Sequence, residues 1–174
     1  MKIGRVVISA EEIDAKLSEM GAQITEDYRD KDLLLVGILK GAFVVMADLA
    51  RHIDLPVEFD FMAVSSYGSA TKSSGVVRIL KDLDQEIDGR HVLIVEDIVD
   101  TGLTLHYLLK NLEVRKPASL SLAALLIKDG VDRPPLDVRY EGFHIPPAFV
   151  IGYGLDYDGK YRNLPYVAEV EDLG

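Results

Sequence analysis

The stretch VLIVEDIVDTGLT, residues 92–104, sets an apolar run, two adjacent carboxylates, a third carboxylate and a Thr-Gly-x-Thr turn side by side. Val92, Leu93, Ile94 and Val95 are continuous, apolar and rich in β-branching, the pattern of a strand covered on both faces of a parallel sheet. Asp88-Gly89 just upstream is a turn signal. Downstream, Leu105, Leu108, Leu109 and Leu112 recur at helical spacing, so residues 105–112 predict a helix. Strand, polar loop and helix in that order belong to open α/β sheets, which bind ligands at the carboxyl ends of their strands. The following helix offers an anion unpaired N–H groups and the positive end of its dipole. Asp100-Thr101-Gly102-Leu103-Thr104 suits a phosphate monoester, because Gly102 lets the backbone approach closely and two hydroxyls can donate.

Glu96, Asp97 and Asp100 would repel a bare phosphate, so something neutral or cationic must lie beside it. Ribose hydroxyls and Mg²⁺ meet that need: carboxylates accept hydrogen bonds from a diol, and Mg²⁺ is held by few carboxylates plus ligand oxygens. A carboxylate pair alone at a strand end is often just a solvated loop. Gly102 and the two threonines beside it make the stretch a candidate site.

Working outward, strands and helices interleave. Ser9 caps a helix that runs to about Asp27, with Glu12 as its capping-box partner. Residues 33–39 (LLLVGIL) predict a buried strand, 42–53 a helix, 57–64 an alternating strand and 76–80 a further extended piece. Residues 119–127 (SLSLAALLI) predict a strand, 128–138 a proline-containing connection and 149–152 a last short strand. The pattern implies one α/β domain over residues 1–174, with a mainly parallel central sheet flanked by helices. Composition agrees: 174 residues with 48% hydrophobic content suffice for one substantial core. Absence of cysteine excludes disulfides, thiolate chemistry and zinc–thiolate sites. The N-terminus lacks the form of a signal peptide and no apolar run approaches a membrane span, so a cytoplasmic protein with no membrane partner is expected. A net charge of −10 argues against nucleic acid as a partner, so an anionic substrate must be met by local cations and backbone dipoles.

Four further segments carry chemistry. Leu39-Lys40-Gly41-Ala42 lies where a strand meets a helix, so backbone N–H groups and the Lys40 ammonium could face a diphosphate; the alternative is a solvated surface lysine. Residues 65–75 (SSYGSATKSSG) predict a mobile loop able to fold over a ligand and exclude water. Lys128, just past an apolar strand, is either a snorkelling surface group or a donor aimed into the site. In 149–162 (FVIGYGLDYDGKYR), Phe149 can stack on a planar base, the backbone around Val150 can read its edge, Asp156 can bind Mg²⁺ and Arg162 can clamp a diphosphate. Taken alone, Phe149 would more often be core and Asp156 a turn residue. GILKGAF is not a Walker loop, Gly152-Tyr153-Gly154 is not a dinucleotide fingerprint, and the D-x-D-x-T pattern of an aspartyl phosphatase is absent.

The run from Val92 to Thr104 resembles the phosphoribosyl-diphosphate motif of type I phosphoribosyltransferases, two acidic residues after an apolar strand and then D-T/S-G-x-T/S. From about Ile3 to Glu169 the chain resembles the 6-oxopurine branch, the bacterial hypoxanthine and hypoxanthine-guanine enzymes. The resemblance implies the fold of that family, with a small hood formed by the N- and C-terminal segments. It implies phosphoribosyl transfer to N9 of hypoxanthine or guanine with Mg²⁺ as cofactor, in a homodimer or homotetramer. Residue by residue, the phosphoribosyl diphosphate would meet Lys40, Gly41, Glu96, Asp97, Asp100, Thr101, Gly102, Leu103, Thr104 and Arg162, with a non-proline cis peptide at Lys40-Gly41. The purine would meet Lys128, Phe149, Val150 and Asp156, with Lys128 selecting a 6-oxo group. Glu96, Asp97 and Asp156 would serve the metal, Ser66 and Tyr67 of the flexible loop would close the site, and Asp100 would be the general base. Leu103 and Ala148 depart from animal relatives, which tend to carry lysine there, so backbone amides would carry more of the 5-phosphate contact. Two other readings stay open: a xanthine-preferring enzyme, and a nucleotide-sensing RNA-binding regulator on the same fold.

Overall fold

Alternation along single strands decides what packs on each side of the sheet. The computed structural model describes residues 1–66 and 77–171. In β2 (Leu33–Leu39), Leu33 and Leu35 join one buried core while Leu34, Val36 and Ile38 join another. The same parting occurs in β5 (His91–Val99), with Leu93 and Val95 against Val92 and Ile94, and in β6 (Ser119–Lys128), with Ala123 and Leu125 against Leu122 and Ala124. The first core takes Ile13, Leu17 and Ile24 of α1 (Ala10–Asp27) and Val45, Met46 and Leu49 of α2 (Phe43–Ala50). The second takes Leu105, Leu108 and Leu112 of α3 (Leu103–Glu113). Each Val, Leu, Ile or Met side chain among them contributes about 1.5–3 kcal/mol on burial. Packing of this kind, more than intrinsic propensity, holds helices as short as α2 and α3.

The central sheet has the order β4-β3-β2-β5-β6-β7, completed by β3 (Glu58–Ser66), β4 (Val77–Lys81) and β7 (Tyr140–Ile145). All neighbours are parallel except β4, which pairs antiparallel with β3 at one edge. A second, three-stranded antiparallel sheet joins β1 (Lys2–Ile8), β9 (Val167–Glu171) and β8 (Val150–Ile151). The α/β class with a mainly parallel sheet flanked by helices is as the sequence implied. So is the start of α1, where Ser9 and Glu12 form both bonds of a capping box.

Strands β1, β7 and β9 are additions to the expected set, and β8 is not the last strand. None of the three has a clean apolar run: β1 is largely exposed, β7 reads YEGFHI and β9 reads VAEVE. Long-range pairing, not local pattern, makes them strands. Strand β5 extends through Val99 instead of ending at Val95, because Glu96, Ile98 and Val99 continue the parallel register with Ala124, Leu126 and Ile127. Glu96 and Asp97 therefore sit on a strand, not in a loop. No helix among the described residues is long and apolar enough to cross a membrane.

Candidate active site

Strands β2, β5 and β6 are adjacent and parallel, so their carboxyl ends share one edge of the sheet. Lys40 and Gly41 follow β2, Asp100 to Gly102 follow β5, and Lys128 ends β6. The topology thus gathers three of the predicted segments at the edge where open α/β sheets bind ligands.

The turn from β5 into α3 depends on Gly102, the N-cap of the helix, which adopts φ 68°. Only glycine holds that left-handed conformation without strain. A Cβ there would also come within 2.5 Å of Leu136 Cδ1 in the connection that follows β6. Glu96, Asp100, Thr101, Gly102, Leu103 and Thr104 line a shallow hollow at the amino end of α3. Helix N-termini of this kind present N–H groups to anions.

Beside the hollow, Lys128 Nζ lies 2.9 Å from Asp100 Oδ2. The Lys128 side chain is 14% exposed, and its ammonium turns to the Asp100 carboxylate. Arg133, in the same connection as Leu136, donates from Nε to the Asp100 carbonyl at 2.9 Å and from Nη2 to the Lys128 carbonyl.

On the other flank, Gly41 abuts the Asp97 carboxylate so closely that a Cβ would overlap Oδ2. Gly154 abuts the Gly41 carbonyl in the same way. Arg162 Nη1 donates to the Gly154 carbonyl at 2.6 Å, and its Nη2 lies 3.3 Å from Asp156 Oδ1. The two glycines bring the segment around Arg162 against the β2 turn, with a guanidinium next to the expected diphosphate position. Burial pushes the Glu96 carboxyl well above its ordinary range, and the neighbouring Asp97 carboxylate adds to this. Burial raises Asp97 as well, against the lowering effect of the Ile98 amide, Glu96 and the Arg162 guanidinium. Carboxylates so poorly solvated gain from hydrogen bonds supplied by a diol or from a cation.

Phe149 is 44% exposed, so it is not a core residue, and it meets Tyr157 edge to face with ring centroids 6.0 Å apart. Val150 is buried and begins β8. The cis peptide is Leu39-Lys40, one bond earlier than the expected Lys40-Gly41. Tyr67 and most of the loop at 65–75 lie outside the described residues, as does the side chain of Ser66.

Glu96, Asp97 and Asp156 are not gathered into one metal cluster, and no group of three or more His, Asp or Glu side chains suited to a metal exists among the described residues. The residues present fit Mg²⁺ in another mode. One or two carboxylates with substrate oxygens completing the shell is how Mg²⁺ is commonly bound alongside phosphates.

Sequence reading missed Arg133, Leu136 and Gly154. All three act through backbone: Arg133 on two carbonyls, Leu136 over a glycine, and Gly154 by having no side chain. The one local signal was Arg133 preceding Pro134-Pro135 in a connection otherwise without pattern.

Residues 9–158 match the family described as Phosphoribosyl transferase domain. A hypoxanthine-guanine phosphoribosyltransferase of Mycobacterium avium is 54% identical over 97% of this chain and 86% of its own length. The enzyme of the same name from Bacillus subtilis is 51% identical over 95% of this chain and 92% of its own. The crystal structure of a hypoxanthine phosphoribosyltransferase from Staphylococcus aureus superimposes with a TM-score of 0.95 at 44% identity, covering 97% of this chain and 92% of that one.

Proposed function

The chain belongs to the phosphoribosyl transferase family, and from that membership we propose that it works in purine salvage, moving the 5-phosphoribosyl group of phosphoribosyl diphosphate to N9 of hypoxanthine or guanine. The C1–diphosphate bond breaks and the C1–N9 bond forms, giving the purine nucleoside 5′-monophosphate and diphosphate. The single observation that carries the choice of base is the Lys128–Asp100 pair at 2.9 Å. A 6-oxopurine carries an acceptor at O6 beside a nitrogen, N7, whose proton must leave. Lys128 donates to the first and Asp100 accepts from the second. Adenine presents a donor at the 6-position, which would face the ammonium and leave buried polar groups mispaired.

The other roles follow from position. Thr101, Gly102, Leu103 and Thr104 hold the 5-phosphate, Glu96 and Asp97 take the ribose diol, and Lys40, Gly41 and Arg162 surround the diphosphate. Phe149 stacks on the purine and the backbone at Val150 reads its edge. Positive charge develops on the ribose as the leaving group departs; Glu96 and Asp97 would stabilise that side, and Lys40 and Arg162 the departing charge. Asp100 takes the N7 proton as general base. Mg²⁺, when bound, would supply positive charge at the diphosphate, held either by the Glu96–Asp97 pair or by Asp156 together with substrate oxygens.

Two coarser points belong to the same reading. Phe43 and Phe59 are 47% and 46% exposed and, with Met46 and Phe61, line an apolar hollow outside the site. That surface supports a homodimer or homotetramer, as exposed apolar patches commonly mark association. A cytoplasmic setting fits charged nucleotide products, which a bilayer retains where they form.

The test is diphosphate release from phosphoribosyl diphosphate and Mg²⁺ with hypoxanthine, guanine, xanthine or adenine. Release with hypoxanthine or guanine and little with adenine is expected. Release with none of the four would overturn the reading, and release with xanthine alone would reassign the base.

A further inference from the structure

We propose that Arg133 is a positioning residue, which fixes the Lys128–Asp100 pair by bridging the two backbones that carry it. The inference rests on the function proposed above and adds a residue to it.

The regular pairing of β5 with β6 ends at Val99 and Ile127. Asp100 and Lys128 are the next residues along each strand, beyond the last registered pair of β5 with β6; Lys128 still pairs with Ile145 of β7, but Asp100 has left the sheet. Arg133 joins the two backbones directly: Nε donates to the Asp100 carbonyl at 2.9 Å and Nη2 donates to the Lys128 carbonyl. One planar guanidinium thus ties the two strand ends at the point where the Lys128 ammonium and Asp100 carboxylate stand 2.9 Å apart. Lysine has a single nitrogen and cannot reproduce a rigid two-pronged bridge. The arginine is itself held. It precedes Pro134-Pro135, and a following proline confines the backbone of the preceding residue to extended conformations. Three residues on, Leu136 packs over Gly102, so the connection is anchored on the phosphate loop as well.

Neither donor of Arg133 is directed at a substrate position; both end on backbone carbonyls. Its contribution is the placing of two side chains that must meet O6 and N7 together, and loss of that placement should weaken base-dependent turnover while sparing the phosphoribosyl site. Misplacement of reacting groups by about 1 Å can cost on the order of a hundredfold in rate.

The test compares the wild-type enzyme with Arg133→Ala and Arg133→Lys, measuring kcat, KM for phosphoribosyl diphosphate and the hypoxanthine-to-adenine ratio of kcat/KM, with thermal melts alongside. Wild-type turnover of hypoxanthine or guanine is the first check, since its absence would defeat the proposed function and not this assignment. Given that turnover, Arg133→Ala should lower kcat by about tenfold to a hundredfold. It should shift KM for phosphoribosyl diphosphate less than about threefold, and compress the hypoxanthine-to-adenine ratio. Added guanidinium ion should restore part of the Ala variant's kcat, and Arg133→Lys should fall between wild type and Ala. A kcat and base ratio within twofold of wild type would overturn the assignment. So would a fall explained wholly by loss of folded protein, with kcat per folded enzyme and the base ratio unchanged. If the Ala variant does not fold, the Lys variant decides by the same readouts.

Discussion

The Asp97 carboxylate occupies the space into which a side chain on Gly41 would extend. The ends of the neighbouring strands β2 and β5 meet there without intervening atoms. The turn after β2 and the Glu96–Asp97 carboxylates are therefore one surface. The glycine at 41 is required by that contact, not by an unusual φ.

Gly41→Ala should disturb both sides of the contact. Forcing a methyl group against a carboxylate and its backbone costs about 1–3 kcal/mol of stability. The variant should melt lower and raise KM for phosphoribosyl diphosphate by about tenfold or more, since each tenfold corresponds to about 1.4 kcal/mol. Steady-state kinetics and a thermal melt measure both; wild-type values for the two would mean that the contact is not functional.

Asp100→Asn keeps size and removes the ability to take a proton. Turnover with hypoxanthine should drop by about a hundredfold or more, the scale of general-base catalysis, while phosphoribosyl diphosphate binds as before. Isothermal titration together with single-turnover kinetics separates the two. Unchanged turnover would refute the base assignment.

Lys128→Gln should spare phosphoribosyl diphosphate binding and erode the choice of purine. Hydrogen bonds to charged groups contribute about 1.5–3 kcal/mol, so kcat/KM for hypoxanthine should fall by about 10–100-fold. Adenine, which the ammonium disfavours, should lose far less. Equal losses for the two bases would show that Lys128 does not read the 6-position.

A pH dependence of stability follows from His144, which lies between Glu141 at 2.9 Å and Asp129 at 2.7 Å, the latter next to Lys128. The bonds to Glu141 and then Asp129 raise its pKa. A histidine whose folded-state pKa is raised contributes stability fully below its unfolded value of about 6.5. That contribution is lost as pH rises through the folded-state value. His144→Gln should therefore lower Tm slightly at about pH 5.5, with the small effect of an exposed pair, and leave it unchanged at alkaline pH. A Tm difference that is constant with pH would contradict this.

The fold and much of the candidate site were legible because they are written locally. The boundaries of β2 and the Ser9–Glu12 capping box follow from neighbouring residues alone, and the phosphate loop is a continuous motif. What escaped depends on distant partners. Strand β9 exists through pairing with β8 and, across most of the chain, with β1, and neither VAEVE nor KIGRVVI announces that pairing. Phe149, by composition more at home in a core, stands half-exposed. Lys128 could be read as solvated until its contact with Asp100, 28 positions away, was seen. Arg133 grips only carbonyls, and a carbonyl has no signature in a sequence.

On the proposed function, Lys128 and Asp100 together read the O6–N7 edge of a 6-oxopurine. A crystal structure of the enzyme with bound inosine 5′-monophosphate measures this most directly. The expected result is the 5′-phosphate in the Thr101–Thr104 loop, the base on Phe149, O6 within hydrogen-bond reach, about 2.7–3.2 Å, of Lys128 Nζ, and N7 within the same reach of the Asp100 carboxyl, which donates the proton it has taken. A base bound with its O6–N7 edge turned away from both residues would contradict it.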